Sequence, residues 1–232
     1  MKTYAVVLGG GSGRRMGAEI NKIFLPIRGI PAIVRAIAPF TGLCAGVTVV
    51  ARADEVTLMQ GTLKRYGLAD TVLSVVAGGE DRQASVACGL AALPEDAEGV
   101  LVHDGARALV TETVIKRTLY SLEKHGSGVA SVPVTDTIKR AEANGRVLET
   151  LDRSALRAMQ TPQAFRLAEL RAAHQAALND HYIATDDAAL LEHAGLPVYL
   201  CDGSRENIKL TTLFDLRLAE AILAARDEEA NT

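Results

Sequence analysis

Tyr4-Ala5-Val6-Val7-Leu8-Gly9-Gly10-Gly11-Ser12-Gly13-Arg14-Arg15-Met16-Gly17, with Asn21-Lys22 just beyond, decides how this chain folds. Residues 4–8 are apolar almost without interruption, as a strand buried on both faces of a parallel sheet must be. The glycines that follow let backbone N–H groups turn inward and approach an anion, and the neighbouring Arg and Lys side chains add mobile positive charge. A strand running into such a loop is a place to hold a polyphosphate. A Walker A loop is excluded, because no glycine here is followed by Lys-Ser/Thr. The dinucleotide fingerprint G-x-G-x-x-G also fails: its last position falls on Arg14 counted from Gly9 and on Met16 counted from Gly11. The bland alternative is a glycine-rich strand-to-helix turn. Three basic residues beside five glycines suit a nucleoside triphosphate better.

Outward from this strand, apolar runs alternate with helical patterns. Strands are expected at 47–50, 72–76, 100–102 and 129–132, with helices near 31–39, 54–66, 82–93 and 111–124. Such alternation predicts an α/β fold, a mostly parallel sheet covered by helices on both faces, whose sites form at the carboxyl ends of the strands. The regularity breaks after Val134. Residues 137–140 and 146–150 flank Asn144-Gly145, a strong hairpin signal. A hairpin projecting from such a core has few partners in its own chain, so it reads as an arm, at about 136–155, that packs on a second subunit; the alternative is an excursion lying on its own domain. Val198–Cys201 returns to the sheet, and a closing helix over 211–228 is capped near Thr211 or Thr212.

The 232 residues are enough for one large domain, and 48% hydrophobic with 23% charged residues is the composition of a globular protein. A net charge of −3 argues against bulk nucleic-acid binding, so basic residues in a site act locally. No apolar run reaches the roughly 18 residues of a membrane span. Met1-Lys2-Thr3 enters the first strand without a cleavage-type signal region. Cys44, Cys88 and Cys201 are odd in number, far apart and without metal spacing, as expected of small buried residues in a reducing cytoplasm.

His103-Asp104-Gly105-Ala106-Arg107 ends the fourth strand. An Asp at a strand's carboxyl end beside a phosphate loop is placed to hold Mg²⁺, which prefers hard oxygen ligands and bridges phosphates. The alternative for Asp104 alone is a helix N-cap. Arg107 could clamp a second phosphate bidentately, whereas His103, inside an apolar strand end, reads as structural. Gly78-Gly79-Glu80-Asp81-Arg82, with Ser85 one turn on, would let a flat base approach the backbone, or is simply a turn with an Asp or Ser cap. Asp136-Thr137, Asp152-Arg153, Thr161-Pro162-Gln163, Thr185-Asp186-Asp187 and Asn207-Ile208-Lys209 are each weak alone. Thr185 could cap a helix over 186–194, and Lys209 could be a solvated charge.

Together these segments resemble the 2-C-methyl-D-erythritol 4-phosphate cytidylyltransferases of the non-mevalonate isoprenoid pathway. The resemblance runs through GGGSGRRMG…NK (9–22), GGEDRQAS (78–85), VHDGAR (102–107), PVTDTIKR (133–140), ETLDRS (149–154), QTPQAF (160–165), ATDD (184–187) and ENIKLT (206–211). It implies a single Rossmann-like nucleotidyltransferase domain over 1–232 and a homodimer built through the arm. It also implies in-line attack by the acceptor phosphate on the α-phosphorus of CTP, with a divalent cation such as Mg²⁺. The loop glycines Gly10, Gly11 and Gly13 would cradle the triphosphate, with Arg15 and Lys22 neutralising the leaving pyrophosphate. Gly78, Asp81 and Ser85 would lie by cytosine and ribose, and Asp104 by the metal. Arg107, Thr161 and Lys209 would line the shared site, Lys209 nearest the α-phosphoryl group. Thr137 and Arg153 would reach the substrate phosphate bound in the partner subunit.

The chain departs from the family pattern at Gly9-Gly10, where Ala-Ala is usual, at Asn21 and Ala108, where Pro is usual, and at Gly105, which replaces Ala. Two rivals remain: a ribitol-5-phosphate cytidylyltransferase, which shares the CTP site, and a non-catalytic nucleotide-binding protein, which would be expected to have lost Asp104, Lys22 or Lys209. An NAD(P)-dependent oxidoreductase loses on the missing fingerprint and on Arg52, which stands where an acidic residue would follow the second strand.

Overall fold

A computed structural model describes residues 1–10 and 21–230 of the chain. Its strands are β1 (Thr3–Leu8), β2 (Pro26–Ile27), β3 (Ile30–Pro31), β4 (Val47–Ala51), β5 (Val72–Ala77), β6 (Gly99–Asp104), β7 (Ser127–Pro133), β8 (Lys139–Ala141), β9 (Val147–Thr150), β10 (Arg157–Arg166) and β11 (Leu200–Asp202). The α-helices are α1 (Ala32–Ile37), α2 (Val56–Arg65), α3 (Arg82–Ala91), α4 (Glu112–His125), α5 (Leu167–Asn179), α6 (Asp187–His193) and α7 (Leu213–Ala230). Seven strands form one sheet in the order β11-β7-β10-β6-β1-β4-β5. All neighbours pair parallel except β10, which runs antiparallel to both β6 and β7.

The expected strands and helices stand where the apolar pattern placed them, and alternation along β1 shows why. Ala5 and Val7 face a core built with α1, α2 and α4, while Tyr4 and Val6 face a second core built with α3, α5 and α6. Both faces of the sheet are therefore dry, which the continuous apolar strands require. In α4 the buried positions Val114, Ile115, Thr118, Ser121 and Leu122 fall on one stripe. Each large apolar side chain buried this way contributes roughly 1.5–3 kcal/mol.

Two local expectations need correcting, and the expected cap at Thr212 holds. Asp104 is not a helix cap: it ends β6, and the next helix, α4, is capped by Thr111. The cap of α6 is Asp186, whose Oδ1 accepts from the Ala189 amide at 3.0 Å, rather than Thr185. The closing helix begins at Leu213, with Thr212 and Asp215 bonded reciprocally as a capping box: the Asp215 carboxylate accepts from the Thr212 amide at 2.7 Å, and the Thr212 hydroxyl accepts from the Asp215 amide at 3.3 Å.

The hairpin forms as expected. β8 pairs antiparallel with β9, every residue of both is exposed, and Gly145 turns the chain at φ +90°. The pair makes its own two-stranded sheet, separate from the central one. β7 leads out to it and β10 returns from it, with Ala158 opposite Val132. No helix among the described residues is long and apolar enough to cross a membrane.

Candidate active site

Because β1, β4, β5 and β6 run parallel, their carboxyl ends open on one edge of the sheet. The residues that follow β1 and β5 meet Asp104 there. They border a cleft of about 320 Å³, which also receives Lys22, Arg82 and Lys209. Of the candidate site residues, Gly10, Asp81, Ser85 and Asp104 also line it, whereas Gly78 does not. Gly11, Gly13 and Arg15 lie outside the described residues. A larger groove of about 590 Å³ between α3 and α5 has a mixed apolar and polar lining and shares only Asp81 with the cleft; its arginine, Arg171, donates to the Leu90 carbonyl.

Two charged side chains converge on Asp104. Lys209 Nζ is 2.7 Å from Oδ2, and Arg82 Nε is 3.6 Å from Oδ1. Burial alone would push the Asp104 carboxyl up, but Lys209, Arg82 and Arg107 hold it down at about 2. It is a fixed anion at any working pH. Behind it the backbone is fastened as well: the Asp104 amide donates to Thr161 Oγ1 at 3.0 Å, and Thr161 bonds His103 Nδ1 at 3.0 Å. His103 Nε2 lies 3.3 Å from the Arg107 carbonyl, which can only accept, so Nε2 carries the proton and Nδ1 accepts from the Thr161 hydroxyl. Burial pushes this imidazole down to about 4. It is a neutral structural residue, as its strand context suggested.

Lys209 reaches Asp104 because its segment is strapped down. Asn207 is fully buried and donates to the Thr161 carbonyl at 2.8 Å. The Leu210 amide donates to the Ala106 carbonyl at 2.8 Å. Arg107 completes the strap: Nη1 donates to the Asn207 carbonyl at 2.7 Å and Nη2 to the Met159 carbonyl at 3.3 Å. These bonds use two of the five N–H donors of the guanidinium, and Nε is left without a partner. Arg107 here positions Lys209. Thr161, expected to line the site, is buried one layer below it.

At the other end of the cleft, Gly78 and Gly79 follow β5. A Cβ on Gly78 would fall 2.7 Å from Ser85 Oγ, and one on Gly79 2.5 Å from the Ala84 Cβ, so the loop lies flat on the first turn of α3. Asp81 caps that helix through the Ala84 amide at 2.7 Å. The cap and the cleft-lining position are the same residue. Asn21 stood in the quoted loop segment and as a departure from the family pattern, with no role assigned. It is buried, and its Nδ2 donates to the Gly9 carbonyl at 2.9 Å and to Glu55 at 2.8 Å, fastening the two sides of the glycine loop together. Arg82 and Asp187 were likewise inside quoted segments but unassigned. Arg82 Nη2 lies 2.7 Å from Asp187 Oδ2, and Asp187 is fully buried.

Thr137 and Arg153 are exposed on or beside the arm and do not border the cleft of their own chain. Arg153 Nη1 donates to the Thr135 carbonyl at 3.0 Å. Among the described residues no three His, Cys, Asp or Glu side chains cluster as a metal cage. The cleft does offer one ionised carboxylate, Asp104, beside cations that attract phosphate. That donor set fits Mg²⁺, which takes one or two carboxylates and completes its shell with substrate phosphate and water.

The chain is similar to known proteins. The family model of 2-C-methyl-D-erythritol 4-phosphate cytidylyltransferase matches residues 3–225. A protein of that name from Pelotomaculum thermopropionicum is 43% identical over 228 residues, covering 97% of this chain and 95% of that one. Another, from Geobacillus kaustophilus, is 44% identical over 232 residues, covering 99% and 100%. The crystal structure of the Thermus thermophilus enzyme of the same name superposes with a TM-score of 0.77 at 32% identity, covering 96% of this chain and 98% of that one. That of the 4-diphosphocytidyl-2C-methyl-D-erythritol synthase from Anaerococcus prevotii gives 0.84 at 27%, with the same coverage. The chain therefore belongs to the 2-C-methyl-D-erythritol 4-phosphate cytidylyltransferase family.

Proposed function

We propose that this chain transfers CMP from CTP to 2-C-methyl-D-erythritol 4-phosphate, releasing pyrophosphate and forming 4-diphosphocytidyl-2-C-methyl-D-erythritol. Family membership supplies the reaction. The observation that carries it to particular residues is the Asp104–Lys209 pair at the strand ends, 2.7 Å apart in the cleft. An attacking phosphate is already ionised, so no general base is needed, and the neutral, buried His103 is not asked to be one. Catalysis rests on positioning and on charge stabilisation.

In this reading Gly78, Asp81 and Ser85 hold cytosine and ribose, and Lys22 with Arg15 and the glycines Gly10, Gly11 and Gly13 hold the phosphates that leave. Lys209 faces the charge that develops on the α-phosphoryl group, while Arg107 and Thr161 keep Lys209 and Asp104 in place. Asp104 would hold a divalent cation, which would supply charge neutralisation between the phosphates. The protein is one catalytic domain working as a homodimer, in which the arm carries Thr137 and Arg153 to the acceptor phosphate of the partner's site. The separate free cysteines accord with work in a reducing cytoplasm.

The test is pyrophosphate release from CTP with methylerythritol phosphate, then with ribitol phosphate. Turnover with the second but not the first would replace the acceptor assignment. Lys22→Ala is expected to lower turnover by about 10² or more. A folded variant with near-normal turnover would remove Lys22 from the mechanism.

A further inference from the structure

Four charges alternate from the buried interior into the cleft: Asp187, fully buried behind the cleft wall, then Arg82, Asp104 and Lys209, which line it. The spacings are unequal. Arg82 Nη2 stands at full ion-pair contact with Asp187, 2.7 Å, but its Nε is 3.6 Å from Asp104 Oδ1, beyond normal hydrogen-bond length. Lys209, by contrast, sits tightly on the other oxygen, Oδ2, at 2.7 Å. Asp187 is fully buried on the first turn of α6, and its Oδ1 has no hydrogen-bond partner. His174 Nε2 faces that oxygen at 3.9 Å and is itself unpartnered. A carboxylate buried at this cost, and bonded to one side chain only, has one evident use: to fix where that side chain sits.

We infer that Asp187 is a positioning residue that holds Arg82 back from Asp104, so that Oδ1 of Asp104 stays open to the divalent cation. The inference rests on the reading of Asp104 as the cation's ligand. The guanidinium stays charged under all working conditions, and opposite charges a few ångströms apart in a partly buried site attract strongly. Without the Asp187 charge, Asp104 is the carboxylate across the cleft that Arg82 already faces. Arg82 would then close the remaining gap and occupy Oδ1, as Lys209 occupies Oδ2. Both oxygens of the ligand would be taken, and a cation would have to displace a guanidinium to bind. In the native arrangement Asp187 anchors Arg82 near the phosphates without letting it cap the metal ligand.

The experiment is Mn²⁺ binding followed by electron paramagnetic resonance, with enzyme in excess over CTP and no acceptor present. Five proteins are compared: wild type, Asp187→Asn, Arg82→Gln, the double variant of these two, and Asp104→Asn. Asp187→Asn is expected to weaken Mn²⁺ binding about ten-fold. The double variant, having no cation left to close on Asp104, is expected to return to within about three-fold of wild type. Arg82→Gln alone is expected to bind Mn²⁺ at least as tightly as wild type, and this arm stands even if Asp187→Asn fails to fold. Unchanged binding in Asp187→Asn, a double variant as weak as the single one, or a ten-fold loss in Arg82→Gln would each overturn the inference. A wild-type complex that binds no Mn²⁺, or an Asp104→Asn variant that binds it as well as wild type, would overturn the cation reading itself and the inference with it.

Discussion

The buried imidazole at position 103 makes the fold sensitive to mild acid. In the folded protein burial holds His103 at about 4, whereas an unfolded histidine titrates near 6.5. The unfolded chain therefore takes up a proton that the folded chain refuses. Stability contributed by the neutral imidazole is full above pH 6.5 and is lost as pH falls toward 4. Integrating between those two values, the loss on going from pH 7.5 to pH 5 is about 2 kcal/mol. That is a large share of the roughly 5–15 kcal/mol by which domains are stable. The network gives the reason: Nε2 donates to the Arg107 carbonyl, and a proton on Nδ1 would face the Thr161 hydroxyl that now donates to it. His174, also pushed down by burial, adds in the same direction, while Asp187, pushed up by burial, opposes it. A difference measurement removes both. Urea unfolding of wild type and His103→Asn at pH 7.5 and pH 5 should show the stability gap between them narrow by about 2 kcal/mol at the lower pH. A gap constant to within about 0.5 kcal/mol would mean that His103 is not held neutral.

Three further outcomes are expected. Lys209→Met removes the cation from Asp104 and should lower single-turnover pyrophosphate release about 10²-fold or more; a loss under about three-fold would displace Lys209 from the centre of the reaction. Asn21→Leu leaves the Gly9 carbonyl and Glu55 without their shared donor, which should cost roughly 1–3 kcal/mol in denaturant unfolding and raise the KM for CTP; an unchanged KM would show that the loop keeps its geometry without Asn21. Thr212→Ala breaks the capping box of α7 and should cost about 1 kcal/mol in the same unfolding assay, with kcat unaltered; a cost indistinguishable from zero would leave Asp215 as the effective cap.

Much of this molecule was legible before any coordinates because its central strands are dry on both faces. Val47-Thr48-Val49-Val50 and Val100-Leu101-Val102 have no other sensible place to go. The hairpin was legible because Asn144-Gly145 has a turn chemistry of its own. β10 was not read as a strand, and its burial explains that. Gln160, Thr161 and Gln163 are polar yet buried, since each is consumed in fastening the site. A sequence pattern cannot separate such residues from a loop. Asp104 and Lys209 were legible as types in a suggestive order, but their 2.7 Å contact depends on Asn207, whose job shows only once the strap is folded. Arg107 is the instructive case. A guanidinium beside a phosphate site invites a ligand role, and its further bonds to carbonyls from two distant segments show only in the fold.

The reversed strand β10 has a consequence for how such a protein can change length. β7 and β10 are the two rails by which the arm joins the sheet, and Thr161 on the return rail sits directly beneath Asp104. One residue inserted into β10 would turn every side chain beyond it to the opposite face and take Thr161 away from the Asp104 amide. One inserted between residues 134 and 156 disturbs the separate two-stranded sheet of the hairpin and leaves the central sheet in register. A library of single-residue insertions, sorted for folded protein, should therefore fall off sharply at the Leu156–Arg157 boundary. The span of the arm is open to drift in evolution, while the strand that returns from it is locked in step with the chemistry.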